Sequence, residues 1–480
     1  MKWSNYNYIY DSVKHGKLLF NFLSGAFIDI NDAETEALIQ QIKHNPTQSA
    51  LITDQETIDS LLTQGIICEN DDDNKNMLIC NQLAYRFGKN ARSLTLIPTL
   101  ECNLACPYCF EESYRKAGKM SAEVITSVKK HIEYHYGRDK EPLKLSWFGG
   151  EPLLGFDIME DITSYIKELE IPFIASIITN GVLLDEKKIA KIDQLNLKSI
   201  QITLDGPKEV HDTKRIFKNG KGTYDIIMKN LDKLHEYKKL HDDLQVDIRI
   251  NVDRENKDRY HELYLEFKDK YPLFYVYPGI IIQYKTCSNN LPCFADAREE
   301  AQFYIEQYEK YGIIHPEFNV SAKGLKSCMA ECLHTDMIGP RGELYLCLQD
   351  VGNPAGEIGT LAEGKNNMRL IAAYCTGNLT FNSSECRDCR VLTLCGGGCV
   401  NKRYQNLKCD GQHYVCAAYK DTDILERYLD IYYEIKKNQS CSKLDQSCRS
   451  YCGLHVRAPR LMQERVYGTH LPTVLRWQPA

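Results

Sequence analysis

One stretch decides the fold of this chain, and it reads Cys102-Asn103-Leu104-Ala105-Cys106-Pro107-Tyr108-Cys109. Its three thiolates have the spacing C-x3-C-x2-C and can hold three corners of a cubic [4Fe–4S] cluster. Structural iron–sulfur sites usually take four cysteines, so three on one loop leave an iron open to a small molecule. The alternative is a zinc loop that borrows a distant fourth ligand. The tyrosine between the last two cysteines and the Phe110-Glu111-Glu112 that follows favour the cluster.

This motif resembles the cluster-binding motif of radical S-adenosylmethionine (SAM) enzymes, and the resemblance extends over roughly residues 1–435. It implies that the amino and carboxylate groups of SAM chelate the open iron. One electron from the reduced cluster then cleaves SAM into methionine and a 5′-deoxyadenosyl radical. The resemblance also implies a partner that donates electrons, such as a flavodoxin or a ferredoxin.

Composition excludes several other classes of protein. With 480 residues, the chain is long enough for two or three domains. A net charge of −6 without a basic face argues against nucleic-acid binding. The first residues lack the apolar core of a signal peptide, and the most apolar stretch, residues 271–284, is too short and too broken by prolines to cross a membrane. We therefore expect a cytoplasmic protein in which 20 cysteines are better explained by metal binding than by disulfides.

Residues 1–90 are predicted to form a small separate domain. Strand-like segments are expected at residues 6–11, 18–22 and 66–69. A helix is expected to start at the cap Asn31, a second helix covers residues 55–64, and the acidic run at residues 70–74 is expected to be a solvated turn. This winged-helix-like pattern is similar to PqqD-like domains, which implies that the leader of a precursor peptide adds as a strand to an exposed sheet edge. The alternative is a domain that only packs on the rest of the chain.

Residues 91–314 alternate apolar strands with amphipathic helices, which predicts an α/β fold and a partial (β/α)6 barrel. The expected strands cover residues 94–98, 143–148, 173–179, 199–204, 245–252 and 279–283. In such folds the loops after the carboxyl ends of the strands carry the chemistry. The three-cysteine loop follows the first predicted strand, as this rule requires.

Short motifs with polar residues follow the next predicted strands in order. The resemblance assigns contacts with SAM to Tyr108, Gly149, Gly150, Glu151, Thr179, Asn180, Thr203 and Arg215. Two glycines allow close approach of the backbone to a ligand, the Glu151 carboxylate suits an ammonium group, and the guanidinium of Arg215 suits a carboxylate. Asn251, on the fifth strand, has a site role and a structural role as equal alternatives.

Residues 315–437 are rich in cysteine, glycine and short turns, which is typical of a region held together by metal. The cysteine spacing resembles the SPASM pattern of two auxiliary [4Fe–4S] clusters, so that the chain would hold three clusters. The resemblance assigns Cys332, Cys347 and Cys399 to the first cluster, with Cys328 as its fourth ligand or else an open iron. It assigns Cys386, Cys389, Cys395 and Cys416 to the second, with Cys409 as the alternative to Cys416. Residues 438–480 are expected to be a poorly ordered tail.

Together these features predict a radical SAM/SPASM maturase of a ribosomally made precursor peptide. Thioether crosslinking from a cysteine sulfur, as in sactipeptide-type maturases, is the first hypothesis, and carbon–carbon crosslinking, as in streptide-type enzymes, is the second. A sulfatase maturase is disfavoured, because that family places an acid directly after the cysteine that matches Cys347, where this chain has Leu348 and no acid before Asp350. The non-enzyme alternative is a cluster-bearing binding or electron-transfer protein. The sequence identifies no general acid or base.

Overall fold

A computed structural model describes residues 1–45, 55–88, 92–138, 142–281, 292–318, 328–377, 382–408, 413–441 and 466–467. Three regions follow one another along the chain: an N-terminal unit, a parallel sheet with helices, and a cysteine-rich region of short elements. Within the described residues, no helix has both the length and the apolar character needed to cross a membrane.

The N-terminal unit combines a small antiparallel sheet with three helices. Its elements are β1 (Lys2–Trp3), β2 (Asn7–Ser12), β3 (Gly16–Asn21), β4 (Phe27–Asp29), α1 (Ala33–His44), α2 (Gln55–Thr63), β5 (Ile67–Cys68) and α3 (Asp71–Phe87). Strands β2, β3 and β4 pair in sequence order, and β1 pairs with β5. The predicted strands and the second helix are therefore present.

Two local predictions in this unit were wrong. The cap of α1 is Asp32 rather than Asn31, since the Asp32 carboxylate accepts a hydrogen bond from the Thr35 amide at 2.9 Å. The acidic run at residues 70–74 is not a turn but the start of α3, capped by Asn70. Three aspartates in a first helical turn are stabilised by the positive end of the helix dipole, which explains why this run is helical.

The parallel sheet confirms the α/β prediction. It contains β6 (Ser93–Leu96), β7 (Leu143–Trp147), β8 (Phe173–Thr179), β9 (Leu197–Leu204), β10 (Gln245–Val252) and β11 (Tyr275–Ile280). The helices are α4 (Ala122–Tyr136), α5 (Phe156–Glu168), α6 (Glu186–Ile189), α7 (Lys208–Lys214), α8 (Tyr224–Lys238) and α9 (Tyr260–Lys270). Neighbouring strands from β6 to β11 all pair in parallel. The last strand starts at Tyr275 rather than at residue 279, because an edge strand tolerates Pro278.

The cysteine-rich region continues the same sheet on its other side. Helix α10 (Ala297–Tyr311) precedes it, and its own elements are β12 (Thr335–Ile338), β13 (Glu343–Tyr345), β14 (Gly359–Thr360), β15 (Gly364–Lys365), α11 (Met368–Ala372), α12 (Ser384–Arg387), α13 (Leu392–Cys395), α14 (Val400–Lys408) and α15 (Thr422–Cys441). Strand β12 pairs in parallel with β6, and β13, β14 and β15 follow as antiparallel neighbours. The cysteine-rich region is thus joined to the strand that leads into the three-cysteine loop.

The predicted tail begins inside a helix, because α15 continues to Cys441. Most of residues 438–480 lies outside the described residues. The described pair Val466–Tyr467 forms β16, which pairs antiparallel with β4 and makes the N-terminal sheet four-stranded, in the order β16-β4-β3-β2.

The N-terminal unit packs tightly against the cysteine-rich region. One face of its sheet covers α1 and α2, and the other face meets α15, where the Tyr10 hydroxyl donates to Asp430 at 3.1 Å. The buried Thr393 hydroxyl donates to the Phe22 carbonyl at 2.7 Å, which ties the unit to the segment between Cys389 and Cys395. Removing residues 1–90 would therefore expose a core instead of releasing an independent module.

Candidate active site

The three-cysteine loop lies directly after β6 and is fixed on both sides by backbone contacts. The Ala105 amide donates to the Ile216 carbonyl at 2.8 Å, and Leu104 beside it is fully buried. Cys102 and Cys106 are buried, and Cys109 is half-buried. The loop therefore holds its thiols in a protected place at the carboxyl end of the sheet.

The three thiols are close enough to influence one another's ionisation. Burial raises the pKa of Cys102 to about 12, and the neighbouring Glu151, Cys106 and Cys109 add to the rise. A thiol must lose its proton to ligate metal, so a bound cation has to supply the stabilisation that this environment withholds. Metal binding at this loop would thus release protons.

The surroundings of the thiols fit a [4Fe–4S] cluster better than a single ion. Within the described part of the chain, no group of three or more His, Cys, Asp or Glu side chains could hold one metal ion. A cluster distributes its thiolates over different irons, and its sulfurs accept hydrogen bonds. Buried donors with no acceptor among the described residues lie on this loop and on the turn after it: Asn103 Nδ2 and two nitrogens of Arg115, Nε and Nη2. Arg115 also hydrogen-bonds Cys109.

Gly149 and Gly150 bring the end of β7 against the backbone that enters the cysteine loop. A Cβ atom on Gly149 would lie 2.4 Å from the Thr99 carbonyl oxygen, and a Cβ atom on Gly150 would lie 2.4 Å from that of Leu100. The Gly150 amide donates to the Thr99 carbonyl at 3.2 Å. The close approach that the sequence predicted for these glycines is thus made, in this structure, to the loop itself.

Glu151, which follows β7, contacts the end of β8 through its buried carboxylate. Its Oε1 accepts from the Thr179 hydroxyl at 2.8 Å and from the Leu153 amide at 3.0 Å, and its Oε2 accepts from the Asn180 amide at 2.8 Å. The side chain of Asn180 then donates to Asn103 Oδ1 at 2.8 Å, next to Cys102. Glu151 therefore organises the site, and its predicted contact with an ammonium group stays a prediction.

A second network surrounds the tyrosine between the cysteines. The Tyr108 hydroxyl donates to Asp205 Oδ1 at 2.8 Å and accepts from Arg215 Nη1 at 3.0 Å. Asn251 Nδ2 lies 3.2 Å from the same hydroxyl and 3.3 Å from Asp205 Oδ1. These side chains come from the cysteine loop, β10 and the segments that follow β9 and α7. The structure thus gives Asn251 a place in the site.

The network leaves two buried polar atoms without a hydrogen-bond partner among the described residues, Asp205 Oδ2 and Arg215 Nε. Burial raises the pKa of the Asp205 carboxyl, and the Arg215 guanidinium opposes that rise. Buried charged atoms are costly unless something pairs with them. One free acceptor and one free donor fit the ammonium and carboxylate of an amino-acid group, which SAM carries. Thr203, near the end of β9, is also buried, and it precedes Asp205 by two residues.

Sequence reasoning missed Asp205 as a site residue, although it quoted the motif Thr203-Leu204-Asp205-Gly206-Pro207. The usable signal was an acid directly after a buried strand. Arg115 and Asn103 were missed as well, because no pattern showed that their polar atoms would be buried near the thiols.

The predicted ligands of the first auxiliary cluster lie near one another. Burial raises the pKa of Cys332 to about 12, with Glu331 and Cys328 adding to it. The pKa of Cys347 is also raised by burial and by Asp350, and Cys399 and Cys328 contribute.

The predicted ligands of the second auxiliary cluster form another neighbourhood. Burial raises the pKa of Cys389, with contributions from Cys395 and Cys386. The Cys416 thiol hydrogen-bonds Lys420, whose pKa is raised by that contact and by Cys389 among others. The competing Cys409 lies outside the described residues.

Comparison with known proteins gives a consistent result. Residues 96–265 match the Radical SAM superfamily. The cysteine-type anaerobic sulfatase-maturating enzyme of Clostridium novyi is 29% identical over 344 residues, which are 64% of this chain and 86% of that protein. The radical SAM cyclopropyl synthase TigE of Paramaledivibacter caminithermalis is 24% identical over 67% of this chain and 71% of that protein.

The fold is similar to that of native anSMEcpe with bound AdoMet and Cp18Cys peptide. The TM-score is 0.56 at 19% identity, over 72% of this chain and 99% of that chain. Over these residues the chain therefore shares the fold of that protein.

Proposed function

We propose that this chain is a radical SAM maturase that crosslinks a ribosomally made precursor peptide. The observation that carries the proposal is the link between the cysteine loop and the Asp205–Arg215 pair through Tyr108. Each member of the pair has one buried polar atom with no hydrogen-bond partner in the described part of the chain. A ligand that touches the cysteine loop and presents both an acceptor and a donor would complete this arrangement.

Three thiolates, from Cys102, Cys106 and Cys109, would hold the cluster, and Asp205 and Arg215 would bind the amino-acid group of SAM. A cluster bound there supplies the electron that cleaves SAM into methionine and a 5′-deoxyadenosyl radical. Tyr108 holds Arg215 and Asp205 in a fixed relation, and the buried loop keeps water from the reacting atoms. In this proposal these residues bind and orient the cluster and SAM, and none of them has to transfer a proton.

Two auxiliary [4Fe–4S] clusters belong to the proposal. The grouping of Cys328, Cys332, Cys347 and Cys399 on one side, and of Cys386, Cys389, Cys395 and Cys416 on the other, supports two separate sites. Each set contains four thiols, which is the usual number for a closed cluster. Cys328 is accordingly a ligand in this proposal.

A peptide substrate fits the N-terminal unit, whose described sheet ends at β2 and at β16. An extended leader could add to an edge of this sheet, and the edge of β4 becomes available only when Val466–Tyr467 leaves it. Because the unit packs on the cysteine-rich region, its deletion is a poor test. Hydrogen exchange with and without a synthetic candidate leader peptide is a better test. We expect slower exchange in β2 or β4, and unchanged exchange throughout residues 1–45 would refute leader binding there.

Sulfatase maturation is the third candidate, and it is considered because a sulfatase-maturating enzyme is among the relatives. The nearest acid to Cys347 is Asp350, and its two oxygens already accept hydrogen bonds from the Tyr374 hydroxyl at 2.8 Å and from Asn401 at 3.1 Å. A carboxylate engaged in this way is a weaker candidate for a free general base. Thioether formation therefore remains the first proposal and carbon–carbon crosslinking the second.

Mass spectrometry of the co-expressed peptide separates these outcomes. A crosslink removes two hydrogens, about 2 Da, from the peptide, and alkylation of its cysteines distinguishes a thioether from a carbon–carbon bond. An aldehyde in place of a cysteine or serine would favour sulfatase maturation, and an unmodified peptide beside active SAM cleavage would refute this substrate. A Cys102→Ala variant is the control that should leave the peptide unmodified.

A further inference from the structure

A buried ion pair joins the last turn of α3, in the N-terminal unit, to the loop between Cys328 and Cys332. Arg86 is fully buried, and its Nη2 contacts Glu331 Oε1. Its Nη1 donates to the Cys375 carbonyl at 3.1 Å, and its own carbonyl accepts from the Leu333 amide at 2.9 Å. Arg86 therefore contacts this loop through both its side chain and its backbone.

Glu331 also contacts Cys328, the cysteine at the start of this loop. Its second oxygen, Oε2, accepts from the Cys328 amide at 2.9 Å, and the Glu331 amide donates back to the Cys328 carbonyl at 2.9 Å. The Cys332 amide donates to the Met329 carbonyl at 3.0 Å. The result is one tight turn, residues 329–331, that sets the distance between the two thiols.

The turn depends on the buried carboxylate of Glu331, and burial of a carboxylate carries a large desolvation cost. A carboxylate in the interior is tolerated when a cation pairs with it, and removal of the cation leaves the full cost of desolvation. The planar guanidinium of Arg86 serves both the Glu331 carboxylate and a carbonyl in one fixed geometry, which a lysine would not reproduce. The geometry of the turn is thus coupled to a residue outside the cysteine-rich region.

The same helix also reaches the other group of cysteines, though only at the surface. Lys75 pairs with Asp388, between Cys386 and Cys389, at 3.2 Å. Exposed pairs of this kind contribute little to stability. Lys75 and Arg86 are therefore two cations on one helix, each facing one cysteine loop, and only one of them is buried.

We propose that Arg86 and Glu331 are positioning residues for the first auxiliary cluster, so that the N-terminal unit forms part of that cluster's binding site. This inference rests on the proposed function, because it assumes that Cys328, Cys332, Cys347 and Cys399 hold a cluster.

The test compares Arg86→Gln with Lys75→Gln after anaerobic reconstitution of the full chain. Three clusters hold about twelve irons per chain. Arg86→Gln should retain about eight irons, whereas Lys75→Gln should retain about twelve. In Arg86→Gln the electron paramagnetic resonance signal of the SAM cluster, with its change on SAM addition, should persist, and one auxiliary signal should be missing.

A double variant separates positioning from simple stability. Arg86→Met with Glu331→Met removes both charges, so no unpaired carboxylate remains, but the Cys328 amide still loses its acceptor. We expect the circular dichroism of the wild type and again about eight irons. Twelve irons in the double variant, or in a folded Arg86→Gln, would overturn the inference. A wild type with only four irons would instead refute the auxiliary clusters of the proposed function, and this inference with them.

Discussion

Gly150→Ala tests whether the glycine pair is needed to seat the cysteine loop. The backbone of Gly150 has no positive φ angle, so alanine meets no conformational strain there and the effect is purely steric. The new Cβ atom would lie 2.4 Å from the carbonyl oxygens of both Leu100 and Glu101. Ordinary contacts of this kind begin near 3.4 Å. Either the backbone at Gly150 or the backbone at Leu100 and Glu101 therefore has to move by about 1 Å.

The expected cost follows from overpacking, which typically destabilises by about 1–3 kcal/mol. Because the new Cβ atom meets two backbone carbonyls at once, we expect Gly150→Ala to lower the free energy of unfolding by about 3 kcal/mol, the upper end of this range. Because the displaced segment leads directly into Cys102, the loss should appear at the cluster as well as in stability. The assays are iron content after anaerobic reconstitution and the denaturant midpoint of the metal-free chain.

Gly377→Ala is the matched control, since its Cβ atom would come no closer than 3.4 Å to any of the described residues. We expect Gly377→Ala to behave as the wild type, and Gly150→Ala to lose up to the four irons of the SAM cluster while keeping those of the auxiliary sites. A Gly150→Ala protein with wild-type iron content and an unchanged midpoint would refute the reasoning that these glycines seat the loop.

Two further changes probe buried polar groups, Tyr108 in the site and Asp336 on β12 outside it. Tyr108→Phe removes the hydroxyl shared by Asp205 and Arg215; hydrogen bonds to charged groups contribute about 1.5–3 kcal/mol, so we expect the Kd for SAM to rise at least tenfold, measured by calorimetry on reconstituted protein. An unchanged Kd would show that the network does not support SAM. Asp336→Asn removes a buried carboxylate whose burial raises its pKa, but whose contacts with His131 and Lys365 lower it below the usual value overall. We expect a loss of about 3 kcal/mol at pH 7 by denaturant unfolding. The stabilisation is complete above a pH of about 3.9 and is lost as the pH falls through the lower folded pKa, so equal wild-type and variant stabilities at pH 7 would contradict the assignment.

The sequence predicted the parallel sheet and the position of the cysteine loop because both depend on local patterns. Apolar runs alternating with helices identify β6 to β11, and the loop after β6 is where such folds place their chemistry. The six strands were found with bounds that differ by a few residues. The sixth differed most, since Pro278 and Gly279 obscured its start.

The partners of buried polar atoms could not be predicted in this way. Asp205, Tyr108 and Asn251 meet because β9 and β10 are neighbours, and a single sequence does not state which side chains share a strand end. Glu151 illustrates the same limit: its residue type suits an ammonium group, whereas the fold directs three protein donors to it.

The join between the N-terminal unit and the cysteine-rich region was hidden for a similar reason. The contacts Tyr10–Asp430 and Arg86–Glu331 connect residues that are hundreds of positions apart. The pattern of strands and helices predicts a small domain for residues 1–90, but it does not show that Phe20 and Phe27 pack with Tyr432 in one core.

The central claim is that the cysteine loop and the Asp205–Arg215 pair together cleave SAM. The direct measurement is 5′-deoxyadenosine formed by the reconstituted, dithionite-reduced chain with SAM, quantified by mass spectrometry. The account predicts 5′-deoxyadenosine from the wild type and none from the triple variant Cys102→Ala, Cys106→Ala and Cys109→Ala, which should also lose about four irons. A wild type that binds iron but forms no 5′-deoxyadenosine, or a triple variant that still forms it, would contradict the account.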